Sequence, residues 1–214
     1  KLLASASRIY GEAMPRLWGT IEPVPADRLS VIEAGDQLMV GERALDVLYT
    51  PGHAVHHVSF ADPAHRELFA GDAAGVRLQG MSFVRPPTPP PDLNLEDWSA
   101  TIDALLARDY GRIFLAHFGP ATGVEAHLLQ LRARLWEWGD LLLPSIRAGA
   151  PDGALAELLR RATDPLLAPS ALGAAHERDE ILRRYELATN YRMSAQGYVR
   201  YFHRVAPERL AADS

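Results

Sequence analysis

The chain has 214 residues, a formal net charge of −5 and no cysteine. Its 48% hydrophobic and 23% charged shares, with a mean hydropathy of −0.10, suit a globular protein with a sizeable core. The acidic balance argues against a nucleic-acid or anionic-membrane binder, since either needs a basic face. The absence of cysteine excludes disulfides, thiolate ligands and a cysteine nucleophile, so any metal must be held by His, Asp or Glu.

No run approaches the roughly 20 apolar residues of a membrane span. The opening Lys1–Ser7 is too short and too soon followed by Arg8, Glu12 and Arg16 to read as a secretory leader. The expected compartment is the cytoplasm. Because the first residue is Lys1, the chain is expected to begin inside a longer protein.

In chain order, residues 1–18 carry apolar side chains at loose helical spacing, with Pro15 and Gly19 as the expected stop. Short strands are expected from Leu29 to Phe60, with Gly41-Glu42-Arg43 as a hairpin loop and Asp62–His65 as a turn. Five prolines between Pro86 and Pro91 predict a stiff extended segment, either a crossover linker or a wall beside an active site. Asn94 is placed to cap a helix with Asp97 three residues on; Trp98, Ile102, Leu105 and Leu106 form its stripe, and Gly111 ends it. A strand at Ile113–Ala116 follows. Residues 124–148 predict one long helix with a stripe of Leu128, Leu131, Leu135, Trp138 and Leu142. Another helix begins at Asp152, and residues 174–205 predict one or two more with a junction at Gly197. Strands alternating with helices give an α/β or α+β layered domain over residues 1–123. Residues 124–214 form a helical extension.

Three apolar runs each end in a side chain able to bind metal. Leu45–Tyr49 runs into Thr50-Pro51-Gly52-His53, Leu68–Gly71 into Asp72, and Ile113–Ala116 into His117. Each alone has a plain reading: a turn histidine, a turn aspartate, a buried structural histidine. Together they suggest a metal site at one sheet rim, where ligands usually bind. His57 is placed to orient a ligand or line the pocket, and His56 to sit in a turn. Arg77 is a candidate for an anionic substrate, with a solvated role as its alternative. His65, His127, His176 and His203 read as surface or packing residues.

Taken together, Thr50-Pro51-Gly52-His53 with His57, Gly71-Asp72, Gly75, Arg77 and Ala116-His117-Phe118-Gly119 resemble motifs of the metallo-β-lactamase-fold hydrolase superfamily, glyoxalase II-like members included. The resemblance implies an αββα sandwich with His53 on one metal, His117 on a second and Asp72 bridging both. It implies two divalent ions, zinc first, with iron or manganese as alternatives, and hydrolysis of an ester, thioester, lactone or phosphodiester in a small-molecule substrate. Asp72 in the bridging place, with no cysteine, weighs against a dedicated β-lactamase.

The family's His-x-His-x-Asp-His motif has no counterpart, because no histidine precedes His53. Truncation is the expected reason rather than loss. The chain alone is therefore expected to bind metal weakly and to be inactive, with its missing N-terminal segment as a natural partner. The alternative function is a non-catalytic binding or regulatory module. In that reading Tyr185, Tyr191, Tyr198, Tyr201 and Phe202 form a ligand or homodimer surface; the preferred reading makes them part of a cap that covers the sandwich and shapes the pocket mouth.

Overall fold

A computed structural model describes residues 3, 7, 11–167 and 175–211. They divide into two compact units, residues 1–32 and residues 33–214. The first holds a 3-10 turn at Gly11–Ala13, helix α1 (Met14–Trp18) and a 3-10 turn at Ala26–Arg28, none of which buries a residue. Pro15 opens α1 rather than ending it, since proline lacks only an N–H that the first turn leaves unpaired anyway. Leu2, Ile9 and Tyr10 of the expected helix lie outside the described residues.

The second unit is built on one six-stranded sheet in sequence order: β1 (Gln37–Val40), β2 (Arg43–Tyr49), β3 (Val58–Asp62), β4 (Glu67–Gly71), β5 (Arg112–Leu115) and β6 (Gly119–Ala121). Neighbours are antiparallel except β4 and β5, whose parallel pairing follows from the crossover through helix α2 (Leu95–Leu106). Asn94 caps α2 as predicted, its side chain accepting the Asp97 N–H. The helix stops at Leu106, before Gly111. Helix α3 (Val124–Arg147) buries the whole predicted stripe.

Strand alternation gives the sheet two different faces. Ala61, Leu68, Ala70, Ile113 and Leu115 share one continuous core with Trp98, Ile102 and Leu105 of α2 and with the α3 stripe. The other face is only half covered. Phe60, Phe69 and Phe114 stand at paired positions, the last two stacked 4.7 Å apart. Beside them Arg43 bridges Asp62 and Glu67, and Glu67 also takes Arg112.

Helix α4 (Asp152–Leu167) and helix α6 (Tyr191–Arg204) add Leu155, Leu159, Tyr198, Tyr201 and Phe202 to the same core. The junction expected at Gly197 falls elsewhere. Helix α5 (Ala175–Ala188) ends before Thr189-Asn190, and Asn190 caps α6. Gly197 lies inside α6, where a Cβ would stand 1.9 Å from the Thr88 carbonyl oxygen, so it marks a close approach to the proline segment. A short helix α7 (Glu208–Ala211) follows. Tyr185, Tyr191, Tyr198, Tyr201 and Phe202 are all buried, so they form no ligand or dimer surface. Their hydroxyls are used internally: Tyr198 donates to Leu135 O, Tyr185 to Phe83 O. Among the described residues no helix is long and apolar enough to cross a membrane.

Candidate metal centre

The site lies at the rim where β2, β4 and β5 end. After β2, buried Thr50 leads into the Pro51–His57 loop, and its N–H returns to the His57 carbonyl. After β4, Asp72 opens a 3-10 turn, Asp72–Ala74. After β5, which stops at Leu115, His117 occupies the tight corner into β6, ahead of Phe118 at φ 71°.

These three strand ends converge. His53 Nε2 stands 3.7 Å from Asp72 Oδ2, and His117 Nε2 stands 3.6 Å from Asp72 Oδ1. Asp72 thus lies between the two histidines with one oxygen toward each. Two donors on a tetrahedral ion with bonds near 2.1 Å stand roughly 3.4 Å apart, so either gap suits a shared divalent cation in chemistry and in spacing. Among the described residues, two donors stand on each side. No group of three His, Asp or Glu side chains among the described residues is arranged to hold a single metal ion.

The histidines differ in how they are held. His53 Nδ1 meets the Pro87 carbonyl at 2.9 Å. A carbonyl only accepts, so Nδ1 carries a proton, and in the neutral ring it is Nε2, on the side of Asp72, that has the lone pair a metal would need. The proline segment is therefore a wall of the site, and Pro86 and Pro87 are buried. The His53 ring also rests edge-on against Trp98 at 5.7 Å. His57 does not turn its Nε2 outward: that atom accepts the Asp72 N–H at 3.2 Å. Burial, then the neighbouring His53, push the His57 imidazole below its ordinary value. His56 is exposed, as a turn residue should be.

Two more side chains grip the turn that carries Asp72. Trp98 donates its indole N–H to Ala73 O at 2.8 Å, and buried His127 donates Nε2–H to Ala74 O at 2.7 Å. Burial pushes His127 down to about 4, so the ring is neutral. The sequence gives no hint of His127's target, because the pairing spans 53 positions. Arg77 extends to the Thr122 carbonyl at 3.2 Å, just beyond the His117 corner.

A family model described as the metallo-beta-lactamase superfamily matches residues 5–117. A metallo-beta-lactamase fold-containing protein of Sulfurisphaera tokodaii is 26% identical over 136 residues, covering 63% of this chain and 50% of the relative. A hydroxyacylglutathione hydrolase of Maricaulis maris is 28% identical over 164 residues, covering 70% of this chain and 59% of the relative. The chain thus spans about half to three fifths of the curated relatives it matches. The crystal structure of an archaeal metallo-beta-lactamase superfamily protein from Sulfolobus tokodaii superposes with a TM-score of 0.58 at 20% identity, covering 92% of this chain and 62% of that one. A metallo-beta-lactamase family protein from Thermus thermophilus gives 0.52 at 21%, covering 95% and 60%. The likeness in fold runs well past the motifs, and the family model takes in His53, Asp72 and His117; the chain belongs to the metallo-beta-lactamase superfamily.

Proposed function

We propose that the protein to which these residues belong is a metal-dependent hydrolase, with His53 serving one divalent ion, His117 a second, and Asp72 lying between them. The observation that carries this reading is the placement of the two imidazole Nε2 atoms on opposite oxygens of one carboxylate. Superfamily membership and the relative named as a hydroxyacylglutathione hydrolase support it. Zinc suits the donors first, with iron or manganese next. When bound, the ions supply a water acidified to a pKa of about 7 and a Lewis acid for the bond being cleaved.

The chain's own residues do the positioning. Pro87 O fixes the proton of His53 on Nδ1, so that Nε2 stays free to ligate. Asp72 contributes negative charge that the ions offset. Arg77, at the corner that carries His117, is placed to steer an anionic substrate group. The substrate is a small molecule with an ester, thioester, lactone or phosphodiester bond.

Metal analysis of the longer protein, with a panel of these four substrate types, tests the reading. Bound metal and turnover, both lost in Asp72→Ala, support it. A metal-free, inert protein overturns it in favour of a binding module. The described residues offer two donors a side, so calorimetry with zinc on this chain should show only weak binding; two submicromolar sites would contradict that.

A further inference from the structure

We infer that His57 is a positioning residue at the end of a one-way hydrogen-bond chain, His57–Thr50–Ser59, that fixes the backbone of Asp72 relative to the His53 loop. The inference rests on the reading of His53, Asp72 and His117 as a metal centre.

The chain of contacts is continuous. Asp72 N–H reaches His57 Nε2 at 3.2 Å, His57 Nδ1 meets Thr50 Oγ1 at 2.8 Å, Thr50 Oγ1 meets Ser59 Oγ at 2.9 Å, and Ser59 Oγ meets Ala70 O at 3.2 Å. Its two ends determine every direction within it. A backbone N–H can only donate, so Nε2 of His57 is bare and the proton of the neutral ring sits on Nδ1. That proton goes to Thr50. The Thr50 hydroxyl then donates to Ser59, and Ser59 donates to the carbonyl of Ala70, which can only accept.

The consequence is a division of labour between neighbouring histidines. The lone pair of His57 Nε2 is occupied by Asp72 N–H and is not a metal ligand, although His57 lies only 6.1 Å from His53 between ring centres. The chain ties both flanks of Gly71, through Ala70 O and Asp72 N–H. Gly71 itself has φ +56°, and a Cβ there would stand 2.8 Å from His57 Nε2. Thr50 and Ser59 are buried, at 2% and 0% exposure, so water does not compete for these bonds. Thr50 is also the residue from which the loop to His53 departs, so one hydroxyl links the two ligand-bearing segments.

Long-range proton–nitrogen NMR of the histidine-labelled chain, before and after zinc, is the test. Without metal, His57 should show the Nδ1–H tautomer. On zinc addition His53 and His117 signals should move while His57 keeps its pattern. Thr50→Val, nearly isosteric, should return His57 to a tautomer mixture and weaken zinc binding roughly tenfold; Thr50→Ser should restore both. An Nε2–H tautomer in the parent chain, a zinc-ligated His57, or an unchanged tautomer in Thr50→Val would overturn the inference. Zinc that moves no histidine signal would instead sink the metal-centre reading, leaving the hydrogen-bond chain to be judged on the tautomer alone.

Discussion

Asp72 and His117 face each other across 3.6 Å, yet the fold holds them in different ways. The turn carrying Asp72 is gripped at three successive residues: His57 takes the Asp72 N–H, Trp98 the Ala73 carbonyl and His127 the Ala74 carbonyl. Trp98 and His127 are buried. The His117 side chain is 40% exposed, and its ring lies beside Asp72 and the tilted ring of Phe118. What anchors that corner is Phe118, which packs against the cluster of Val76, Leu78, Phe83 and Tyr185. In the proposed reading, the carboxylate that would serve both ions is held by the fold at three points, while His117 stands partly exposed at the solvent edge.

The largest break in this comparison should come from Trp98→Ala. Trp98 is fully buried and sits in the main core, so its truncation should cost about 3–5 kcal/mol, including a stranded Ala73 carbonyl. Urea unfolding measures this; a loss below about 1 kcal/mol would mean the turn is not clamped from α2.

His127→Leu tests the grip from α3. It removes the donor to Ala74 O and leaves a buried acceptor unpaired, for an expected loss of about 1–3 kcal/mol near pH 7. The pH dependence is more specific. Folded, the ring titrates near 4, against an ordinary 6.5. Between those values the unfolded chain binds the extra proton, so this contribution to stability falls as pH drops from about 6.5 to about 4, then levels off. The gap between parent and variant should therefore narrow across that window. Unfolding series at pH 7 and pH 4.5 provide the check, and a gap that widens on acidification would reverse the sign and refute a buried neutral His127.

The same contrast shows what the sequence can and cannot reveal. Local rules were legible: Asn94 as a cap, the α3 stripe at helical spacing, and the Gly41 hairpin all depend on residues a few positions apart. The convergence of His53, Asp72 and His117 was legible because each sits just past an apolar strand-like run. What grips them was not. Pro87 O reaches His53 from 34 positions away, and a backbone carbonyl leaves no mark on residue type. Buried Arg85 stacks 3.7 Å over Tyr191, a pairing across more than a hundred positions. Gly197 signalled a helix break by its propensity, but its role is to admit the Thr88 carbonyl. The C-terminal tyrosines read as a cap in preference to an interface, and they are buried, but which carbonyls their hydroxyls reach was not legible.

The smallest expected effect on stability, His117→Ala, sharpens the comparison from the other side. The ring is partly exposed and its position comes from the Phe118 backbone, so its removal should change the unfolding free energy by no more than about 0.5 kcal/mol. Loss of its imidazole should nonetheless abolish the zinc response on the Oδ1 side of Asp72 while sparing that of His53. His127→Leu should give the opposite pattern, a marked loss of stability with both donors still in place. Unfolding midpoints and histidine NMR on the two variants separate these outcomes. A drop above about 2 kcal/mol in His117→Ala would mean that the corner is clamped as firmly as the Asp72 turn, and that His117 is a structural residue before it is a ligand.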